Sequence, residues 1–541
     1  MAVETGHDGG VTPPCPADAS VSPASSHPTH SSPASPPAPR RVGTDGQDLA
    51  PLIEALRDDL RAADYTIDGI HAAMGETAAA ALGREQPLPA DLATRGRREP
   101  VALLARLLGL GLPLTREEVD LALPQVGAAG LEQLGLATSD GDAVRIVVDL
   151  RPHATEHDQW WVVSDLPEFA QRGPLPVDHV LGVGGASITL AAWTPRPEVA
   201  RALDLGTGCG VQALHLTHHA ERVVATDISA RALEFARFTC ALNGLELDLR
   251  AGSLTEPVAD EEFDLIVSNP PFVITPRTDE VPVYEYRDGG VEGDGITSGL
   301  IGEVAARLAP GGMAQMLGNW EVGPEEDWRE RVRPWVEAAG VDAWVVLREA
   351  QDPAEYAETW ARDGGHTPGD GQYEAMYAAW LDDFAARGTA SIGFGVITLH
   401  RPEAEREPWI DLAEARGQVD AAMGPHVLAG VRARTWLAEH SDDDLLDTRW
   451  RCAEDVTQER YYARPGDPDP HVVLIRQGGG LRRAFQVDSV TAGLVGVCDG
   501  ELTARQGLAG IAVLTDADQG DLARQVLPVL RDLVADGLLV R

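Results

Sequence analysis

The chain has 541 residues, 44 basic against 85 acidic, for a formal net charge of −41. Every basic residue is Arg and none is Lys, which excludes a P-loop phosphate lysine, a Schiff-base lysine and a Lys general base. The acidity argues against a long electrostatic footprint on nucleic acid. With 44% hydrophobic and 24% charged residues, the composition is that of a globular chain. Its length suits about three or four domains.

From Met1 to about residue 47 the chain is Pro, Ser, Ala, Thr and His, and it reads as a disordered tail that cannot bury enough apolar surface to order itself. Over 48–150 apolar residues recur at helical spacing (Leu52, Leu56, Leu60, then Val101, Leu104, Leu107, Leu108), and Thr115-Arg-Glu-Glu118 has the form of a capping box. A turn at Ser139 to Asp142 and a strand-like Val144 to Leu150 complete the outline of a helical, winged-helix-like module.

Residues 151–401 read as an α/β unit, a Rossmann-like, doubly wound parallel sheet. The expected strands are Ala200 to Leu205, Arg222 to Asp227, Leu247 to Ala251, Phe263 to Ser268, Gly312 to Trp320, Asp342 to Leu347 and Ile392 to His400. A helical stretch with Trp360, Tyr373, Tyr377 and Trp380 separates the last two, and its aromatics are expected to pack an inserted helical pair rather than cap a cleft. Residues 402–541 suggest helices and then a hairpin of Val472 to Ile475 with Arg482 to Val487, again winged-helix-like. The seven Arg and five acids between Arg449 and Arg483 read as a solvated surface.

Five Cys (Cys15, Cys209, Cys240, Cys452, Cys498) form no C-x-x-C pair and imply neither a disulfide framework nor a metal site. The most apolar run, Val101 to Leu114, is too short to span a bilayer and contains Arg106, so a soluble protein of the reducing cytoplasm is expected.

The strongest feature is Asp204-Leu-Gly206-Thr-Gly208-Cys-Gly210, an apolar strand running into a glycine turn and an amphipathic helix. A dinucleotide fingerprint would need Gly three residues after Gly208, and that position is Val211, which speaks against a dehydrogenase. Asp227 lies 23 residues beyond Asp204, at the end of the next apolar run, where a carboxylate can accept both hydroxyls of a ribose. A third element, Ser268-Asn269-Pro270-Pro271-Phe272, follows directly on the fourth strand, where open α/β sheets bind ligands. An amide or exocyclic NH2 is a poor nucleophile because its lone pair is delocalised. If the Asn269 side-chain oxygen and the Pro270 carbonyl accept its two N–H bonds, the lone pair is turned toward an electrophilic methyl. Pro at both positions stiffens the loop, and Phe272 offers a face for a planar group. Gly182 to Ser187 is also glycine-rich but precedes the first strand, and it reads as a turn beside the cofactor mouth with Ser187 and Thr189 as candidate contacts.

The ordered set of Asp204-x-Gly-x-Gly-x-Gly210, Asp227 and Asn269-Pro-Pro-Phe272 resembles the class I S-adenosylmethionine-dependent methyltransferases with an N-P-P-Y/F motif, over about residues 178 to 320. Asn269-Pro-Pro-Phe-Val-Ile-Thr-Pro276, Asp288-Gly-Gly290 and Gly293-Asp-Gly295 look most like the release-factor glutamine methyltransferases. The small-domain ribosomal RNA guanine-N2 methyltransferases share the tetrad. The resemblance implies S-adenosyl-L-methionine as cofactor, with Gly206, Gly208 and Gly210 along its methionine part, Asp204 near its amino group, Asp227 on its ribose, Ser253 at the adenine, and Asn269 with Pro270 gripping the target nitrogen. Ser253 stands where the family often has an acid, and Phe272 where Tyr is commoner. The expected partner is a protein of the translation apparatus. The alternatives are ribosomal RNA as substrate and, in another class, an inactive cofactor-fold scaffold.

Overall fold

The structure, a computed structural model, describes residues 35–541 except 45, 85, 156–157, 172–174 and 279–280. Its centre is an eight-stranded sheet: β1 (Val199–Leu205), β2 (Ala220–Asp227), β3 (Asp248–Ala251), β4 (Phe263–Ser268), β5 (Leu308–Val322), β6 (Asp342–Gln351), β7 (Ser391–His400) and β8 (Ile410–Glu414). The strand order is β8-β6-β7-β5-β4-β1-β2-β3. The seven strands expected from the sequence are present and form a Rossmann-like α/β core. The sheet departs from the all-parallel expectation at β7, which lies antiparallel to both β5 and β6. β8 is an addition to the expected set and pairs parallel with β6. It falls in the segment read as the C-terminal module, so the sheet runs past residue 401; with five residues and acids at both Asp411 and Glu414, it carries no apolar run.

Helices cover both faces: α1 (Val211–Leu216), α2 (Ala230–Leu242), α3 (Gly295–Ala305), α4 (Trp328–Ala339) and the inserted pair α5 (Pro353–Asp363) and α6 (Gly371–Arg387) between β6 and β7. The face under α3 and α4 is filled by Ile266, Leu300, Val304, Trp320, Val332 and Val336. On the other face lie Leu190, Leu216, Leu265, Trp344, Met423 and Val427. Burial of such side chains at about 25 cal/mol per Å² is what holds the layers together. Of the four aromatics named from the sequence, Trp380 lies in the core of the insert with Tyr356, Phe384, Val273 and Ile274, and Trp360 and Tyr377 pack half-buried against it.

The flanking modules are built of helices with small sheets. The N-terminal one pairs helices with a three-stranded sheet of 114–115, 143–146 and 137–140, and Thr115 and Glu118 make the expected capping box. The strand-like run Val144 to Leu150 divides, its second part (Asp149–Ala154) pairing instead with Gln159–Ser164. That hairpin lies on α2, where Asn243 accepts from the Trp161 N–H at 2.9 Å and donates to the Trp161 carbonyl at 2.7 Å. The module and α2 therefore share one core, Leu56 and Trp161 with Phe235 and Phe238. Of the tail read over 1–47, residues 1–34 lie outside the described residues. Its described residues, from 35 on, are docked: the Pro36 carbonyl accepts from Arg231 at 2.7 Å, and the Arg40 N–H donates to the Leu134 carbonyl at 2.7 Å. Backbone hydrogen bonds hold this Pro-rich stretch where apolar burial would not. In the C-terminal module the expected hairpin is Val472–Gln477 with Ala484–Val487, extended by Val456–Tyr461 to three strands. No helix among the described residues is long and apolar enough to cross a membrane.

Candidate active site

β1 has β2 on one side and β4 on the other, so the order reverses there and a crevice opens beyond the carboxyl ends of β1 and β4. The glycine turn leaves β1 and the Asn269 loop leaves β4, which brings two segments more than fifty residues apart in sequence to one cleft. The Ser268 hydroxyl, at the end of β4, donates to the Leu205 carbonyl at 2.8 Å and fastens the two strand ends.

Gly206, Gly208 and Gly210 stand at φ of 77°, 55° and 92°, the left-handed region that side chains avoid. Gly206 and Gly208 line the cleft. A Cβ on Gly206 would lie 4.0 Å from the Asn269 carbonyl, and one on Gly208 would meet nothing within 4 Å. Gly210 is not among the lining residues; it starts α1, where a Cβ would stand 3.5 Å from Ala236.

Asp204 also falls outside the lining, contrary to its expected place beside the cofactor's amino group. It is 1% exposed and accepts through Oδ2 from the Thr207 hydroxyl at 2.6 Å and the Ala213 N–H at 2.9 Å, tying the turn to α1. Its Oδ1 is buried without a partner among the described residues, and burial pushes its carboxyl up to about 7. Asp227 does line the cleft. Its Oδ2 accepts from the Gly208 N–H and its Oδ1 from the Ser229 N–H, both at 2.8 Å. Burial raises its carboxyl, and the negative charge of Glu285 adds to the shift. Each oxygen retains a lone pair for a further donor. Ser253 lines the same end, between Gly252 and Leu254.

Asn269, Pro270 and Pro271 line the same cleft, next to the glycine turn. The half-buried Asn269 side chain makes no hydrogen bond to another described residue. The Pro270 carbonyl accepts from the Phe272 N–H at 2.8 Å, which leaves it one lone pair. Phe272 is the exception in the expected set. It does not line the cleft but packs, half-buried, between the core under the sheet and the inserted helical pair, bridging by its backbone to Asp288. The aromatic residue in the lining is Tyr286, whose hydroxyl donates to Asp363 at 2.7 Å and whose ring sits 5.9 Å from that of His179.

His179 and Tyr286 are lining residues that sequence reasoning did not single out, and no motif marks them; Ser268, which opens the Asn269 motif, also lines the cleft. Asp288 and Ser187 lay in segments noted for their glycines, and both line the cleft, whereas Thr189 is exposed outside it. Asp288 accepts both Nη donors of Arg277 at 2.8 Å. The residues present fit S-adenosylmethionine: an open glycine turn, an acid at the tip of β2, and Ile228, Leu254 and Ala232 as apolar walls for a purine.

A family model described as "Methyltransferase small domain" matches residues 184–347. Two families described as domains of unknown function match 62–147 and 429–541. The chain is 31% identical over 286 residues to the release factor glutamine methyltransferase of Deinococcus radiodurans, an alignment that covers 46% of this chain and 95% of that protein. It is 33% identical over 189 residues to the ribosomal protein uL3 glutamine methyltransferase of Bordetella pertussis, covering 33% of this chain and 59% of the relative. With the ribosomal RNA small subunit methyltransferase C of an Enterobacter species it shares 41% identity over 112 residues, 20% of this chain and 30% of the relative. Among solved structures, a T. thermophilus 16S rRNA N2 methyltransferase in complex with AdoMet and guanosine is 16% identical with a TM-score of 0.27, covering 58% of this chain and 71% of that one. The chain belongs to the family of the release factor glutamine methyltransferases and is an S-adenosylmethionine-dependent N-methyltransferase.

Proposed function

We propose that the chain methylates a planar NH2 nitrogen, that of a glutamine side chain in a protein of the translation apparatus such as a release factor. One observation carries the choice of polymer: the described lining of the cleft holds three acids, Asp227, Glu285 and Asp288, and no arginine. A polyphosphate strand entering such a cleft would find no cation to replace its counterions. The net charge of −41 acts in the same direction.

Bound S-adenosylmethionine supplies the electrophilic methyl. In this reading Gly206 and Gly208 admit the methionine part, Asp227 accepts from the ribose hydroxyls, and Ser253 lies at the adenine. Asp204 and Gly210 act at one remove, by shaping the turn. The unengaged Asn269 oxygen and the free lone pair of Pro270 accept the two N–H bonds of the target, so its nitrogen lone pair points along the line of transfer. Tyr286 takes the role expected of Phe272 and gives the planar group a face to lie against. The nitrogen sheds its proton after attack, so no general base is needed beforehand.

The second reading, an exocyclic amine of ribosomal RNA, is favoured by the 41% identity over 112 residues with the ribosomal RNA methyltransferase. Incubation of the chain with methyl-labelled cofactor and total cell extract, followed by RNase or protease, separates the two. Protease-sensitive, RNase-resistant label is expected; the reverse pattern replaces the glutamine reading with the RNA one.

A further inference from the structure

We propose that the helical pair α5–α6 orients the reactive loop, with Tyr356 and Trp380 as positioning residues that set Asn269 and Pro270 through Ile274. The proposal rests on the assignment of Asn269 to the target nitrogen.

Ile274 is five residues beyond Asn269, and two of the intervening residues are Pro270 and Pro271, whose φ angles are locked. A shift at Ile274 therefore passes to Asn269 with little slack. The backbone of an ordinary surface loop bonds to water. Here the Ile274 N–H donates to the Tyr356 hydroxyl at 2.8 Å, and the Ile274 carbonyl accepts from Trp380 Nε1 at 2.8 Å, across separations of 82 and 106 residues. The neighbouring Val273 N–H donates to the Arg287 carbonyl at 2.8 Å, and the Arg287 guanidinium is itself held on α5 by the Trp360 carbonyl and Asp363, each at 2.8 Å. Three of the four backbone polar groups of Val273 and Ile274 thus lead, directly or through Arg287, to the inserted pair.

The clamp is itself fixed. Tyr356 and Trp380 are fully buried. The Tyr356 hydroxyl also accepts from Asn319 Nδ2 at 2.9 Å, and its ring lies 5.4 Å from Phe384 edge-on and 5.7 Å from Phe394 in a stack. Neither Tyr356 nor Trp380 lines the cleft, so neither touches substrate or cofactor, and their effect on the reaction has to pass through the loop.

Tyr356→Phe and Trp380→Phe in the full chain test this. Three quantities are read: the dissociation constant of S-adenosylmethionine by calorimetry, the initial rate of labelled methyl transfer to the protein fraction of extract from cells lacking the chain, and amide hydrogen exchange over 269–276. Each substitution is expected to lower the rate about ten- to a hundredfold while cofactor affinity stays within about twofold, and Tyr356→Phe should speed exchange of the Ile274 amide. Because both residues act on Ile274, the double variant should lose less than the product of the two single losses. Met376→Ala, in the same buried cluster, serves as the control that lowers Tm without moving the rate below it. Unchanged rates in both single variants, or a parallel loss of cofactor affinity, overturn the proposal. Asn269→Ala run alongside separates the two levels: if it retains turnover, the site assignment itself fails, and if it loses turnover while the two clamp variants do not, only the clamp fails.

Discussion

The cofactor side of the cleft is assembled within residues 204 to 254, where Asp204 reaches Thr207 and Ala213, and Asp227 reaches Gly208 and Ser229. The substrate side draws on residues 179 to 380, with Tyr286 held by Asp363 and Ile274 held by Tyr356 and Trp380. The first is made of the ends of β1, β2 and β3 and the turns that follow them, so its geometry is complete once two successive βαβ units have formed. The second exists only after the inserted helical pair has docked on the sheet. In the proposed assignment, the cofactor is thus held by local structure, and the part that would meet the substrate is held by long-range contacts that can change without disturbing the cofactor side.

Substitutions on the two sides should separate accordingly. The largest effect is expected from Asn269→Ala, which removes one preorganised acceptor and should lower turnover by about two to three orders of magnitude. Calorimetry should find cofactor affinity nearly unchanged; an equal loss of both would place Asn269 on the cofactor side and break the division. Asp227→Ala should do the converse. Losing hydrogen bonds to a charged acceptor, about 1.5–3 kcal/mol each, together with its tie to the Gly208 N–H, should weaken cofactor binding at least about tenfold, with turnover at saturation less affected.

Asp204→Asn tests whether that residue shapes the turn or touches the cofactor. Its folded carboxyl sits at about 7 against an ordinary value of 3.8, because burial disfavours the charge. The folded state therefore binds the proton more tightly than the unfolded chain. The stability this confers is complete below about pH 4, fades as pH rises through 7, and leaves the ionised form a burden on the order of a few kcal/mol. Asn keeps an acceptor for Thr207 and Ala213 and does not titrate. The variant should gain thermal stability relative to the parent as pH rises from 4 to 8, with cofactor affinity within about threefold, since the residue stabilises the fold and not the ligand. A tenfold loss of affinity would return Asp204 to the cofactor's amino group. The smallest effect is expected at Phe272: Phe272→Leu, which keeps a smaller apolar side chain in a half-buried site, should cost about 1 kcal/mol and leave the substrate KM unchanged. A raised KM with intact stability would restore Phe272 as the stacking face in place of Tyr286.

The same division decides what could be read before the fold was known. Seven strands were legible because each is an apolar run bounded by turn residues, and the places of Gly206, Gly208, Asp227 and Asn269 at strand ends on the cleft were legible because a turn after a strand is a local property, whereas Ser253 was named only by the family resemblance. β8 was missed because Ile410-Asp-Leu-Ala-Glu414 is short and acidic, and it is a strand only because β6 offers it an edge. Phe272 was placed by its position in the tetrad, yet its side chain follows the core beneath it. Tyr286 and His179 had no motif at all.

The residues by themselves therefore determined the chemistry: an NH2-directed methyl transfer follows from which residue types stand at which spacing along three adjacent strands. Tertiary structure decided which aromatic lines the cleft, that β7 runs antiparallel, and that the reactive loop is held by Tyr356 and Trp380. The physical reason is that turn and strand preferences are set by neighbours within a few residues, whereas a hydrogen bond between Ile274 and a side chain 82 residues away is set by how separate segments pack, which no local pattern records.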